Sequence, residues 1–343
     1  MKPKQIIIVV IAFVLLSIIY AVQKSRQREV IEGLGYESVV AETLATSDIQ
    51  GVKCYLAGQE DTAVHLFRQD DGWVVKSKFD APAKESKVNE LIKKLQGLKG
   101  ELRSSSEDVL SDYGIDDDNA LHLVLLDAEG QEKKRLLVGR QGPNWNEVFV
   151  RQAGSNDVYL VGENLRRDFG IHSEENAGPI DSKQWCELTV LSVSGEDLSR
   201  IELEAPHRRL VLERKEATEP VVDSESGEKA DTEEQSEPPA KEWMVVEPEL
   251  DETPKESGIN RLTAAFANFN VSDVVARGGL ESYGLEEPRA TCTLTTQAGE
   301  TYIFQFGDPI PDGDGAHYVR LGDDDLVYRM DRWKLDSIFI KMS

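Results

Sequence analysis

The chain carries one pattern twice. Tyr113-Gly114-Ile115 returns as Tyr283-Gly284-Leu285, Phe149-Val150-Arg151 as Tyr318-Val319-Arg320, and Val158-Tyr159 as Val327-Tyr328. Trp73 is matched by Trp243, and all four markers are displaced by 169 or 170 residues. Four markers in the same order at nearly one spacing indicate a duplicated domain. The period is far too long for a solenoid unit, so each copy needs a core of its own. At 343 residues the chain has room for two domains of ordinary size and extra segments.

Each copy reads as strands, a helix, then more strands. In the first, Val52–Leu56 and Val64–Phe67 form a hairpin pattern that leads through Asp70-Asp71-Gly72 into Trp73-Val74-Val75. Val88, Leu91, Ile92, Leu95 and Leu98 then fall on one helical face. Four strand-like stretches follow, Leu121–Leu126, Arg135–Val138, Val148–Arg151 and Val158–Val161, separated by Gly- and Asn-containing turns. The second copy repeats the plan with Ile201–Glu204 and Leu210–Glu213, then a helix bearing Ile259, Leu262, Phe266 and Phe269. Its later strands are Ala290–Thr295, Tyr302–Phe306, His317–Leu321 and Leu326–Arg329. A shift of 171 superimposes Val88, Leu91, Leu95 and Leu98 on the four apolar residues of the second helix, the stripe of a helix lying on a sheet.

The copies differ at one place. Asp48-Ile49 matches Asp197-Leu198 at an offset of 149, against 170 downstream, so the second copy gains a net 21 residues where the first has the turn before Trp73. Glu219 to Glu242 carries nine acids, two lysines and three prolines. Such a composition cannot bury enough apolar surface to offset its ordering entropy. The segment is expected to be a disordered acidic loop at a hairpin tip, either a solvated spacer or a docking element for a basic partner or cation.

Residues Ile6 to Val22 form a 17-residue run without a charge, at the short end of what spans a bilayer as a helix. A cleaved signal peptide is the competing reading, but Tyr20-Ala21-Val22-Gln23 offers a poor small-residue cleavage site, and no cysteine follows for a lipid anchor. Lys2 and Lys4 are balanced by Lys24, Arg26 and Arg28, so charge gives almost no orientation. A short N-terminal tail usually stays in the cytoplasm, which places everything after residue 28 outside a bacterial inner membrane. The net charge of -24 argues against nucleic acid and against broad docking on anionic lipid.

No catalytic, cofactor-binding or metal residue is assigned from the sequence. Asp308, Asp312, Asp314 and Asp323-Asp324-Asp325 crowd two turns of the second copy, and Asp312-Gly313-Asp314-Gly315 partly resembles a calcium loop without its terminal Glu. The first copy has Gln141-Gly142-Pro143-Asn144 there, and Asp and Gly are also what tight turns demand. His65, His122, His172, His207 and His317 are dispersed, and Cys54, Cys186 and Cys292 show no C-x-x-C spacing, which favours isolated buried thiols. Arg151 and Arg320 read as outward-pointing members of alternating strands or as a shared ligand-facing edge. Trp73 and Trp243 read as core anchors, and Tyr113 and Tyr283 as plugs beside a glycine that turns the chain.

A hairpin ending in Trp, a helix, Tyr-Gly-Leu followed by Glu287-Pro288-Arg289-Ala290, then Phe306-Gly307-Asp308-Pro309, Tyr318-Val319-Arg320 and Val327-Tyr328 together resemble the bacterial domain of unknown function 4340 family. The likeness is clearest in the second copy. In the first, Asn119-Ala120 stands for Pro288 and its neighbour, and Gly139-Arg140 for Gly307-Asp308. The resemblance implies a membrane-anchored protein, often encoded beside ABC-type exporter components related to gliding-motility systems, and it carries no catalytic residue.

The expected organisation is α+β. An N-terminal membrane anchor (1–28) and a connector (29–47) precede a first module (48–172), an inter-repeat linker (173–187) and a second module (188–343) with a disordered acidic insertion at 214–241. Each module is an antiparallel sheet packed with one or two helices. The expected role is a non-enzymatic, cofactor-free accessory or scaffold protein of a bacterial envelope complex, such as an ABC-type exporter, with protein partners and a single-pass anchor. The alternative is an extracytoplasmic ligand- or calcium-binding module.

Overall fold

The structure, a computed structural model, describes residues 36–40, 48–172, 178–206, 208–216, 241–247 and 256–339. The expected anchor, the acidic stretch 217–240 and most of the connector lie outside the described residues. Among the described residues no helix is long and apolar enough to cross a membrane. The chain divides into two compact units, Met1–Cys186 and Glu187–Ser343. Both consist mostly of antiparallel sheet with few helices.

The strands of unit 1 are β1 (Tyr36–Ser38), β2 (Gly51–Leu56), β3 (Val64–Gln69), β4 (Gly72–Val75), β5 (Ala81–Pro82), β6 (Lys99–Ser104), β7 (Leu121–Leu126), β8 (Glu132–Gln141), β9 (Val148–Gln152) and β10 (Val158–Val161). They form one sheet in the order β1-β6-β10-β9-β8-β7-β2-β3-β4-β5. Helix α1 (Glu85–Gln96) starts with an acid in its first turn, ends on Lys93 and Lys94, and is capped by Gly97, as its dipole favours. It buries Val88, Leu91, Ile92 and Leu95. A short α2 (Leu165–Asp168) follows β10.

Unit 2 contains β11 (Thr189–Ser192), β12 (Leu198–Ala205), β13 (Arg208–Glu216), β14 (Lys241–Glu247), α3 (Glu256–Ala267), β15 (Asn268–Asn270), β16 (Asp273–Arg277), β17 (Ala290–Thr296), β18 (Thr301–Pro309), β19 (His317–Leu321), β20 (Leu326–Met330) and α4 (Arg332–Ile338). Its main sheet runs β14-β13-β12-β17-β18-β19-β20-β16, and β11 pairs separately with β15.

Read from β6 to β4, the first sheet has the order of the second read from β16 to β14. The registers agree as well. Cys54 lies opposite Leu123 and Val64, and Leu203 opposite Cys292 and Leu210. Leu123 faces Leu136 as Cys292 faces Phe304, and Val138 faces Val150 as Phe306 faces Val319. Tyr159 lies between Val150 and Leu102, and Tyr328 between Val319 and Val274. Even the irregularities coincide, after Val138 in β8 and after Phe306 in β18. The core trio Leu95, Leu98 and Leu136 becomes Phe266, Phe269 and Phe304, whose rings lie 4.1–5.7 Å apart.

Four expectations need correction. Residues 36–40 of the connector belong to unit 1, where β1 pairs with β6 and Val39 and Val40 are buried. The end of the expected linker also belongs there. Trp185 is fully buried against Phe169 and under the Lys87 ammonium, and Ala83 bridges Cys186. The insertion is shorter than 214–241, because Arg214 pairs with Trp243, Lys215 with Glu242 and Glu216 with Lys241. The offset is 146 in β13 and 170 in β14, so the connection gains 24 residues, while the turn between β12 and β13 loses three. Finally, Trp243 is only half-buried on edge strand β14 beside the Arg214 guanidinium, whereas Trp73 is buried.

Candidate functional site: one corner, used twice

The repeated Tyr-Gly-Ile/Leu motif locks the same corner of each sheet. Gly114 and Gly284 both adopt φ of +64°, which returns the chain onto its sheet at little steric cost to glycine. Ile115 N–H donates to the Leu110 carbonyl at 3.0 Å, and Leu285 N–H to the Leu280 carbonyl at the same distance. The turn presses the tyrosine carbonyl against a strand glycine, so a Cβ on Gly139 would overlap the Tyr113 oxygen and one on Gly307 the Tyr283 oxygen. Small apolar clusters close the lock, Leu110, Tyr113, Ile115, Phe149 and Val158 in unit 1 and Leu280, Tyr283, Leu285, Tyr318 and Val327 in unit 2. The Tyr113–Phe149 and Tyr283–Tyr318 rings lie 4.4 and 4.8 Å apart. The repeated aromatics are thus packing residues.

That lock fixes the end of the β8–β9 hairpin and of its counterpart β18–β19. Gly142 N–H donates to the Glu147 carbonyl and Ile310 N–H to the Ala316 carbonyl, both at 2.8 Å. Between this hairpin end and the helix after the last strand, each unit has a cleft. In unit 1 it measures about 290 Å³ and is lined by Gln141, Trp145, Asn164, Arg166, Arg167, Ile171 and His172. In unit 2 it measures about 330 Å³, with walls that include Ala290, Phe306, Leu335 and Phe339 and a rim that includes Arg289, His317, Arg332 and Asp336. Each unit carries a strongly exposed tryptophan, at positions that are not equivalent. Trp145 is 68% exposed in the β8–β9 turn, and Trp333 is 69% exposed on α4.

The unit 1 cleft is polar and cationic. The Arg167 guanidinium lies over the Trp145 ring at 5.0 Å, and Arg166 donates to the Gly139 carbonyl at 3.3 Å. Asn164 donates to the Trp145 carbonyl at 3.1 Å. In unit 2, Arg289 is held by Asp308 at 2.6 Å, and His317 Nδ1 contacts the Gly307 carbonyl at 3.1 Å. Together these clefts can take up small ligands or anchor a partner's side chains. Among the described residues that line them, none is a nucleophile paired with a base.

Other sequence candidates sit elsewhere or are structural. Asp308 pairs with Arg289, while Asp324 accepts from Leu326 N–H at 3.0 Å and from the Tyr328 hydroxyl at 3.1 Å. Asp312 and Asp314 occupy left-handed backbone positions in the β18–β19 turn. Among the described residues no three of His, Cys, Asp and Glu gather so as to hold a metal ion. All three cysteines are buried thiols outside any disulfide, and burial pushes the Cys54 and Cys292 thiols well up. His122 is buried, stacked on Tyr55 at 4.9 Å, with Nε2 on the Asp117 carbonyl. His65 is held below its usual pKa, first by burial and then by Lys76.

The two arginines close their own hairpins, donating to the Ser155 carbonyl (Arg151) and the Asp324 carbonyl (Arg320). Arg151 is not outward-pointing. It is 4% exposed and also binds the Ile115 carbonyl and Asp117. The residues missed at sequence level are Trp145, Asn164, Arg166 and Arg167 in unit 1 and Arg332 and Trp333 in unit 2. The available signal was a tryptophan inside a polar turn, Pro143-Asn144-Trp145-Asn146.

No curated protein and no solved structure is similar enough to the chain to count as a match. The family model described as "Domain of unknown function (DUF4340)" matches residues 73–278 and 243–338, two overlapping segments consistent with two copies. The chain therefore belongs to the DUF4340 family.

Proposed function

We propose that the chain is a non-enzymatic accessory or scaffold protein of a bacterial envelope complex, such as an exporter of the ABC type. In this reading Ile6 to Val22 forms a single-pass inner-membrane anchor, and the residues after Arg28 are periplasmic. The observation that carries it is the duplication of one sheet, register for register, with an open cleft in each copy and a strongly exposed tryptophan on each, Trp145 lining the first cleft and Trp333 next in sequence to Arg332 of the second. Exposed aromatics beside concave sites are what partner surfaces use. Two of the described histidines fit a non-catalytic role, since His122 and His317 bond backbone carbonyls rather than a nucleophile. The net charge of -24 disfavours nucleic acid.

Affinity purification of the full-length protein from native membranes in mild detergent is expected to recover transporter subunits. Trp145→Ala combined with Trp333→Ala should reduce that recovery without lowering the melting temperature. Isolation of the wild-type protein alone would overturn the scaffold reading. An alkaline phosphatase fused at the C-terminus should be active; an inactive fusion, with a cytoplasmic reporter active in its place, would overturn the orientation.

A further inference from the structure

Three aspartates of the chain stand directly before a glycine, Asp71, Asp312 and Asp314. In such a pair the glycine amide nitrogen can attack the aspartate side chain, because glycine has no side chain to shield it. By sequence the three pairs are alike, and the fold separates them. Gly72 lies in a tight turn opposite Gln69, with the Glu85 carboxylate packed against it and accepting from Trp73 N–H at 3.4 Å. Gly313 is buried, and its N–H donates to the Ile310 carbonyl at 3.1 Å. Asp314 and Gly315 are both exposed, and what stands closest to Gly315 is the solvent-facing Arg332 side chain.

The backbone of the same turn is the second observation. Asp314 holds φ at +50°, in the left-handed region that costs an L-residue more than glycine. The turn cannot relax around it, because both of its ends are tied. Ile310 N–H donates to the Ala316 carbonyl at 2.8 Å, and Ala316 N–H to the Gly313 carbonyl at 2.9 Å, with Ala316 fully buried. A D-aspartate has mirror-image preferences, so a positive φ is its favourable region. The fold therefore imposes on residue 314 the conformation that suits the opposite hand.

We propose that the Asp314–Gly315 bond is a modification site at which the folded protein isomerises and epimerises spontaneously. The Gly315 nitrogen attacks Cγ of the Asp314 carboxyl group, an N–Cγ bond forms, and the amide hydrogen and the hydroxyl leave as water. The product is a five-membered imide. Its Cα proton is lost to solvent and regained from either face, which gives both hands. Water then opens the ring. Cleavage at Cγ restores aspartate, and cleavage at the main-chain carbonyl leaves an isoaspartyl link with one more methylene in the backbone. Water is the only other reactant, released in the first step and consumed in the last. The site is independent of the scaffold reading, since it needs no partner.

Ageing the full-length protein at neutral pH, followed by peptide mapping against synthetic L- and D-, aspartyl and isoaspartyl standards, tests it. Isomers are expected to accumulate several-fold faster at Asp314 than at Asp71 or Asp312. The same protein held unfolded in urea should lose that ranking, which assigns the selectivity to the fold rather than to the dipeptide. Asp314→Glu keeps the charge but would have to close a six-membered ring, so its signal should disappear. Among the products at 314 in folded protein, the D share should exceed that in the urea sample. The proposal fails if folded protein shows no isomer at Asp314, if Asp71 or Asp312 reacts as fast in the folded state, or if Asp314→Glu retains the signal. A D share no higher than in urea would overturn the role given to the left-handed backbone.

Discussion

Units 1 and 2 share their strand registers but treat the second face of the sheet in opposite ways. In unit 1 every residue of β7 is buried. The face away from α1 is sealed by Tyr55, Ala63, Val124 and Leu126, with His122 stacked on Tyr55. At the positions of Tyr55, His122, Val124 and Leu126 unit 2 has Glu204, Thr291, Thr293 and Thr295. There β17 alternates buried and half-buried residues, and Arg200 and Arg209 pair with Glu202 and Glu213 across the open face. The difference traces to the turn between the first two strands, three residues longer in unit 1, which brings Ala63 onto the sheet. Because side chains alternate with period two, the inner face alone can fix the register. The outer face is then free to become core or solvated ladder.

The sharpest way to break the equivalence is at the motif lock. Gly307→Val would drive a side chain into the Tyr283 carbonyl and Leu285, and should cost unit 2 about 3 kcal/mol or more while unit 1 keeps its stability. Gly139→Val should do the reverse. Hydrogen exchange resolved by segment separates the two outcomes. If both units loosen equally in either variant, they are not independent folding bodies.

The paired arginines come next. Arg151→Met removes a buried guanidinium that serves the Ile115 and Ser155 carbonyls and Asp117, and should cost about 2–3 kcal/mol. Arg320→Met removes a partly exposed one that serves the Asp324 carbonyl and Gln305, and should cost less than about 1 kcal/mol. Urea unfolding of the two variants measures the ratio. Equal costs would show that burial of the arginine contributes nothing.

Tyr159 and Tyr328 occupy the same register position, yet Tyr159 donates to Glu37 on β1, whereas Tyr328 donates to Asp324 in its own turn. Burial, aided by Glu37, pushes the Tyr159 pKa up to about 12 from an ordinary 10. The neutral phenol is therefore favoured in the folded state. Its stabilisation is complete below pH 10 and is lost as pH rises toward 12. With a discount for partial solvent access, that loss is about 2 kcal/mol. Tyr159→Phe should flatten this part of the stability curve of unit 1. A variant that loses stability between pH 10 and 12 as steeply as the wild type would assign the alkaline loss to other groups.

Much of this architecture is legible in the residues, and the exceptions have physical causes. The strands that bury an apolar face, such as Leu121–Leu126 and Val158–Val161, announce themselves through β-branched and leucine runs, and both helices through a stripe at 3.6-residue spacing. Strand β6, Lys-Gly-Glu-Leu-Arg-Ser, does not, because most of its side chains face solvent and its pairing is decided by β10. Strand β16 is short and lies at the sheet edge. Trp185 read as linker because its burial depends on Phe169 and Lys87, both distant in sequence. The clefts escaped for the same reason. Gln141, Trp145, Asn164 and Arg167 meet only after the hairpin and α2 have packed, and no local spacing records that meeting.

The smallest effect is expected where the copies differ most in length. Unit 1 joins Gln69 to Trp73 through Asp70-Asp71-Gly72, while in unit 2 the matching Lys215 and Trp243 are separated by Glu216 to Glu242. Replacing Glu216–Glu242 with Asp-Asp-Gly keeps the register of Arg214 with Trp243. It also supplies the glycine that holds φ at +132° in the unit 1 turn. Closure entropy grows only logarithmically with loop length, so shortening should raise the stability of unit 2 by at most about 2 kcal/mol and cannot cost much unless the removed residues pack. A chemical-denaturation midpoint for unit 2 measures this. A loss of more than about 2 kcal/mol would mean that part of 216–242 contributes to the core, and that β13 and β14 are not the plain counterparts of β3 and β4. If stability holds but recovery of membrane partners falls, the acidic segment is a docking element rather than a spacer. The extra length would then mark the functional divergence of the second copy from the first.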